Sequence, residues 1–344
     1  MRLRHVTPDR ALGYAVLVLA LLAPLLFTPY WVSALLTQVL LLGIIAASLT
    51  FLSAFGGMVS LAQVAIYGIA GFALGNATTT NTKGLDLGWN PWIGVALGLL
   101  FGTGMALVFG VLACRSFGIY FLMITLTFGV IANLFFGQVT QVSGFGGISG
   151  ISPPDVIGSA DANKNKLYYI ALALALLAYA LFRYVARTPF GLTLQGIRDD
   201  PVRMSSLGYH VGLHRTLAFG FAGFVSSVGG ILFVWWNGHI DPSSIDVGQM
   251  VSVLAIAVIG GLYRLEGAWL GAFVYVVINN YLQTISFIGP RFDTVVGLIF
   301  LTIVLVSPAG LMGIWERALG ALRHREPEGG GPSPLSPTSA AADL

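Results

Sequence analysis

Hydrophobic positions along this chain fall into long unbroken runs, not into the narrow stripes of helices that are wet on one side. The runs are Ala11–Phe27, Trp31–Ser53, Met58–Ala77, Pro91–Cys114, Gly118–Phe136, Leu167–Ala186, Thr216–Trp236, Gly248–Tyr263, Gly267–Phe287 and Thr294–Pro308. A helix of about 20 residues rises about 30 Å, enough to cross the hydrocarbon core of a bilayer. The pattern therefore predicts an all-α integral membrane protein with about ten transmembrane helices. A basic start (Arg2, Arg4, His5, Arg10) precedes the first run, and no small-x-small cleavage pattern follows before Pro29, so that run is expected to stay as an anchored helix. The gaps between runs are polar. Thr78–Asn90 is short, and Gln138–Lys166 is Gly- and Pro-rich (SGFGGISGISPP), as expected of a turn-rich outer loop. From Glu326 onward the chain is rich in Pro, Gly and Ser without apolar periodicity. One permease-sized domain is expected over 1–317, followed by a disordered cytoplasmic tail over 318–344.

Composition agrees and adds orientation. Of 344 residues, 56% are hydrophobic and 9% charged, whereas a soluble domain carries roughly 25% charged residues. Such a chain cannot cover a water-facing surface. Its net charge of +3 follows from topology and not from a nucleic-acid partner. With ten spans both ends share one side. Placing the amino end in the cytoplasm puts Arg2, Arg4, Arg10, Arg115, Arg183, Arg187, Arg198, Arg203, Arg215, Arg264, Arg317, Arg323 and Arg325 inside. Only Lys83, Lys164, Lys166 and Arg291 fall outside. An excess of Lys and Arg on the cytoplasmic side is what sets orientation, so both ends are expected there, in the inner membrane of a bacterial cell.

The runs carry little reactive chemistry. No GxxxxGK[ST] loop, HExxH pair or paired Cys spacing is present, and Cys114 is the single cysteine. The five histidines, His5, His210, His214, His239 and His324, all lie outside the runs, and the runs carry no Asp, Glu, Lys, Arg or His at mid-depth, where ion-coupled carriers place them. No catalytic residue, metal or bound cofactor is expected. Two features within the runs stand out. Gly94, Gly98, Gly102, Ala106 and Gly110 recur every four residues, a small-residue face for close helix packing, inside the subunit or against a partner. The third run opens with Gly56-Gly57, a natural break, and then brings in Ser60 and Gln63. A glutamine in lipid is costly unless it faces protein or a wet cavity. Gln63 either bonds a neighbouring helix or lines a path for a polar solute. Asn133, Gln138 and Asn279-Asn280 are weaker examples of the same kind.

The longest charged stretch between two runs is Thr188–Arg215. Pro189 and Gly191 are expected to break the helix after Arg187. Asp199-Asp200-Pro201 reads as an acidic cap followed by Pro in a first turn. A short helix over Val202–Leu207 and a Gly208 cap would follow. The plain reading is a basic connector at the headgroups. The sharper one is a rigid cytoplasmic knob that passes motion from a soluble partner into the bundle.

This segment, TPFGLTLQGIRDDPVRMSSLG, resembles the cytoplasmic loop of LivM-type permeases, membrane subunits of branched-chain amino acid ABC importers, at Thr188, Pro189, Phe190, Gly191, Ile197, Arg198, Asp199, Asp200, Pro201, Leu207 and Gly208. Further likeness runs through Gly57–Gly71, Phe117–Gly129, Gly144–Ile151, Ile259–Gly271 and Val306–Gly313, covering nearly all of Trp31 to Arg317. Departures are Ala62 in place of a usual Gly, Arg264 and Glu266 in a usually Gly-rich turn, and Gln195-Gly196 and Met204-Ser205-Ser206 where Ala is common. The resemblance implies a non-catalytic subunit that pairs with a LivH-like permease, two cytoplasmic ATP-binding subunits and a periplasmic or lipid-anchored solute-binding protein. ATP would be used by the partners alone. Coupling to the ATPases would run through Arg198, Asp199, Asp200, Pro201, Arg203, Leu207 and Gly208, with Arg198, Asp199 and Asp200 bracing the short helix against its partner. A related importer for urea, amides, sugars or other small polar solutes shares these features, and an ion-coupled carrier is the remaining alternative.

Overall fold

The computed structural model of the chain describes residues 19–24, 31–79, 85, 87–151, 153–154, 164–282 and short pieces within 294–313. A π-helical turn at Trp31–Leu36 leads into helix α1 (Thr37–Gly56), followed by α2 (Ala62–Thr78), α3 (Pro91–Ala113) and α4 (Gly118–Gln138). Then come strand β1 (Ile148–Ser149), α5 (Lys164–Arg187), α6 (Pro189–Asp199), α7 (Pro201–Ser206) and α8 (Val211–Asn237). Strand β2 (His239–Ile240), a 3-10 turn at Pro242–Ile245, α9 (Val247–Gly260) and α10 (Leu265–Leu282) complete the described order. Among the described residues five helices, α1, α3, α4, α5 and α8, are each long and apolar enough to cross a membrane, and α9 with α10 passes the same test as one bent pair. The chain is a helical, multi-pass membrane protein. The first and last of the ten expected spans lie largely outside the described residues, as do the 318–344 tail and the sidedness of the two ends.

Helices α1, α2 and α8 are buried on nearly every side, while α3, α4 and α5 bury one face each. The small-residue face of α3 accounts for the tight centre. Gly94, Gly98, Gly102, Ala106 and Gly110 are its buried positions, and they pack inside the subunit. A Cβ on Gly98 would meet the Ala70 carbonyl of α2 at 2.9 Å, and one on Gly102 would meet Ser227 Oγ of α8 at 2.2 Å. The α2–α8 contact is closer still, because a Cβ on Gly230 would lie 2.1 Å from the Tyr67 carbonyl oxygen. Backbone cannot move aside as a side chain can, so Gly230→Ala is expected to cost about 1–3 kcal/mol or more by overpacking, read as a lower thermal midpoint in detergent. Gly212→Ala, where nothing lies within 4 Å, is the matched control.

Three features of the spans have local causes. The third run is not helical from Met58. Gly57, at φ 63°, closes α1, and residues 57–60 are non-helical before α2 starts at Ala62. The eighth and ninth runs form α9 and α10, which are bent by 117° at a short break. That elbow is possible because glycines let the two backbones touch: a Cβ on Gly267 would meet the Gly260 carbonyl at 2.5 Å. The elbow is tied to α5 by Glu266, which accepts hydrogen bonds from Tyr179 Oη and Arg183, each at 2.7 Å. Finally, the connector after α8 does not stay at the surface. From the β1–β2 pair it runs down beside α2, with Ile245 against Gly68 and Ser244 O accepting from Tyr67 Oη at 2.7 Å. Gly68 lies ten residues before the end of α2, or about 15 Å along it.

Candidate coupling loop and broken-helix site

The segment expected to hold one short helix holds two. Thr188 caps α6 by accepting from the Gly191 amide, and Pro189 occupies its first turn, where a missing N–H costs nothing. The helix does break after Arg187, as expected, and Pro189 at once starts α6, with Gly191 inside it and its backbone against Val185 and Ala186 at the end of α5. Asp200 is both the end of α6 and the N-cap of α7, accepting from the Arg203 amide at 3.0 Å. Gly208, at φ 90°, turns the chain after α7. Pro201, Arg203 and Leu207 belong to this second helix or its end, and Asp199 lies exposed beside Asp200.

Inward contacts give the loop its mechanical meaning. Leu194 and Ile197 of α6 are buried, and Leu194 packs against Gly56 at the end of α1. Arg198 donates to the Ala54 carbonyl and lies over Gly57, while also pairing with Asp199 at 2.8 Å. A cation at the C-terminal end of a helix satisfies leftover carbonyls and opposes the negative pole. Arg198 thus holds α6 onto the break between α1 and α2. The opposite face of the loop is bare: Val202 is 74% exposed and Leu207 66%. The His214 ring is 3.0 Å from the His210 carbonyl and stacks on Phe190, and no metal cluster occurs among the described residues.

Arg215 is a site residue that the charge pattern did not single out. It is 2% exposed, inside the first turns of α8, and reaches Met58 Sδ and the carbonyls of Cys114 and Ser116, each at 3.1 Å. Its guanidinium also lies 4.3 Å from the centroid of the Phe117 ring. No carboxylate pairs with it among the described residues. A sequence signal did exist: a cation near a helix start opposes the macrodipole and must be satisfied elsewhere.

Ser60 and Gln63 sit beyond this clamp, both fully buried at the start of α2. The Leu61 amide donates to Thr125 Oγ1 at 3.2 Å, which places the helix start seven residues, or about 10 Å, along α4. Ser226 of α8 donates to the Gln63 carbonyl at 2.7 Å, and the Ser48 hydroxyl is shared between the Ile45 carbonyl at 2.7 Å and Gln63 Oε1 at 3.3 Å. Ser60 Oγ and Gln63 Nε2 have no hydrogen-bond partner among the described residues. The weaker candidates are accounted for locally: Asn133 donates to the Pro242 carbonyl, Asn280 to the Val276 carbonyl, and Gln138 is exposed at the end of α4. A second unexpected feature is a carboxylate at depth. Asp246 caps α9 by accepting from the Gln249 amide at 2.7 Å and is exposed on the chain's surface. The neighbouring Met250 packs on Gly129, in the middle of α4.

Comparison with known proteins places these features. The family described as branched-chain amino acid transport system / permease component matches residues 31–306. The high-affinity branched-chain amino acid permease LivM of Salmonella typhimurium is 24% identical over 250 residues, which is 66% of this chain and 59% of that protein. LivM of Escherichia coli is 25% identical over the same length and shares. The chain therefore spans 59% of the length of these two relatives. The autoinducer 2 import permease LsrC of Yersinia pestis is 25% identical over 294 residues, 79% of this chain and 82% of that protein. No solved structure matches.

Proposed function

The chain belongs to the family of branched-chain amino acid transport permease components, and we propose that it is a membrane-spanning subunit of an ATP-driven importer for branched-chain or related amino acids. It works in the bacterial cytoplasmic membrane beside a LivH-like second permease, two cytoplasmic ATP-binding subunits and a periplasmic or lipid-anchored solute-binding protein. ATP is bound and hydrolysed by the partners. The observation that carries this reading is the two-sided coupling loop: bare and apolar at Val202 and Leu207, fastened to the α1–α2 break through Arg198 on the other side. Apolar side chains on a charged cytoplasmic loop favour a protein partner over water. An ATPase docked on α7, with Asp200, Pro201, Arg203 and Gly208 fixing the shape of that helix, would move α6 and with it the break.

Ser60 and Gln63 lie where that motion arrives and are the proposed lining of the solute path. Asp246 faces the same path or the second permease, because a carboxylate turned to lipid at that depth is expensive. The LsrC relative, matched over a larger share of its length, supports a second reading in which the solute is another small polar molecule. Carrying Val202→Asp and Leu207→Asp together should remove the ATP-binding subunits from the purified complex while the chain stays inserted. Unchanged co-purification would sink the coupling assignment. Ligand binding to the partner solute-binding protein separates the amino-acid reading from the second one.

A further inference from the structure

We propose that the start of α2 is a binding site for the carboxylate of the transported solute. This rests on the reading of Ser60 and Gln63 as path residues and adds the chemical group they take. Three observations meet there. First, α2 begins inside the protein, beside Thr125 of α4, so the positive pole of a 17-residue helix points inward. Its N-cap is Leu61, which has no side-chain acceptor to offer, and no acidic residue occupies its first turn. The Leu61 amide is met by the neutral Thr125 hydroxyl, and no acidic side chain offsets the pole, as at the helix starts that bind anions.

Second, Ser60 Oγ stands one residue before that cap and Gln63 Nε2 in the first turn, and both are buried without a partner. Gln63 Oε1 lies 3.3 Å from the Ser48 hydroxyl, and Nε2 faces no acceptor among the described residues. Thr103 Oγ1, Trp235 Nε1 and Trp269 Nε1 are also unpartnered, but none of the three shares a helix turn with another. An unmet buried donor costs about 1–3 kcal/mol, and two at one helix start are compensated together by one acceptor-rich group. Third, Arg215 bonds Met58, two residues before Ser60, with no carboxylate paired to it among the described residues. The local field therefore favours a single negative charge. Dipole, hydroxyl, amide and cation suit a carboxylate. They distinguish an amino acid from a sugar, which brings no charge.

The test is the full-length Ser60→Cys variant in a Cys114→Ala background, in membranes with the importer's ATP-binding subunits co-expressed. Labelling rates are measured with an anionic and a cationic methanethiosulfonate, each normalised to its rate with a free thiol. The anionic reagent is expected to react about tenfold faster, and isovalerate and L-leucine should slow it while isoamylamine does not. Adding Gln63→Glu should reverse the preference. An equal or faster cationic rate overturns the carboxylate site and leaves the path reading standing. Anionic preference without protection by either carboxylate overturns the site as well, reducing it to a local potential. No labelling by either reagent, with or without ATP, overturns the site and the path reading together.

Discussion

Arg198→Ala should lower solute uptake at least tenfold while complex assembly and ATP hydrolysis stay within about twofold. The guanidinium is the polar link from α6 to the end of α1, through the Ala54 carbonyl, and its stem covers Gly57. A hydrogen bond from a charged donor contributes about 1.5–3 kcal/mol, and each 1.4 kcal/mol is about a factor of ten. Loss of that link leaves α6 packed through Leu194 and Ile197 but free to slide over the break, so motion of the loop no longer reaches Ser60. The docking face at Val202 and Leu207 is untouched, which is why ATPase assembly should survive. Uptake and ATP hydrolysis measured on the same membranes decide it. Parallel loss of both would mean that Arg198 merely stabilises the fold.

The second large effect is expected at Arg215. Replacement by Met keeps much of the volume but strips the donors from the Cys114 and Ser116 carbonyls. The buried Cys114 carbonyl left unpaired costs about 1–3 kcal/mol and the part-buried Ser116 carbonyl less, so a loss of about 2–3 kcal/mol is expected, with a clearly lower thermal midpoint in detergent. Arg215→Lys keeps the charge but not the planar fork that reaches Met58 and both carbonyls at once, and should recover less than half of the loss. Full recovery by Lys would show that charge alone matters there.

The legible and illegible parts of this fold divide along physical lines. Hydrophobic run length located the helices well, because a span must be apolar throughout. The α3 face at Gly94, Gly98 and Gly102 was visible as a period, yet its partners, Ala70 of α2 and Ser227 of α8, depend on packing that no period encodes. Run length missed the break between α1 and α2. Residues 57–60 are as apolar as a helix, so only Gly56-Gly57 hinted that α2 starts at depth. The connector with Asp241 and Asp246 carries no apolar pattern to place it, and in the fold it runs beside α2, where Tyr67 and Asn133 meet its carbonyls. In the coupling loop the caps at Asp200 and Gly208 were readable from residue type. Pro189 gave the break after Arg187 but not the helix it starts, since proline both ends and begins helices. Arg198 and Arg215 were legible as charges but not as inward clamps, because the carbonyls they meet lie 144 and about 100 residues away in sequence.

The central claim is that loop motion opens the α1–α2 break. The most direct measurement is the reactivity of Ser60→Cys, in the complex with its ATP-binding subunits, with and without ATP, in the presence and absence of Arg198→Ala. The account predicts a rate at position 60 that changes with ATP when Arg198 is present and stays fixed when it is replaced. The same ATP-dependent change in both backgrounds, or none in either, would contradict it.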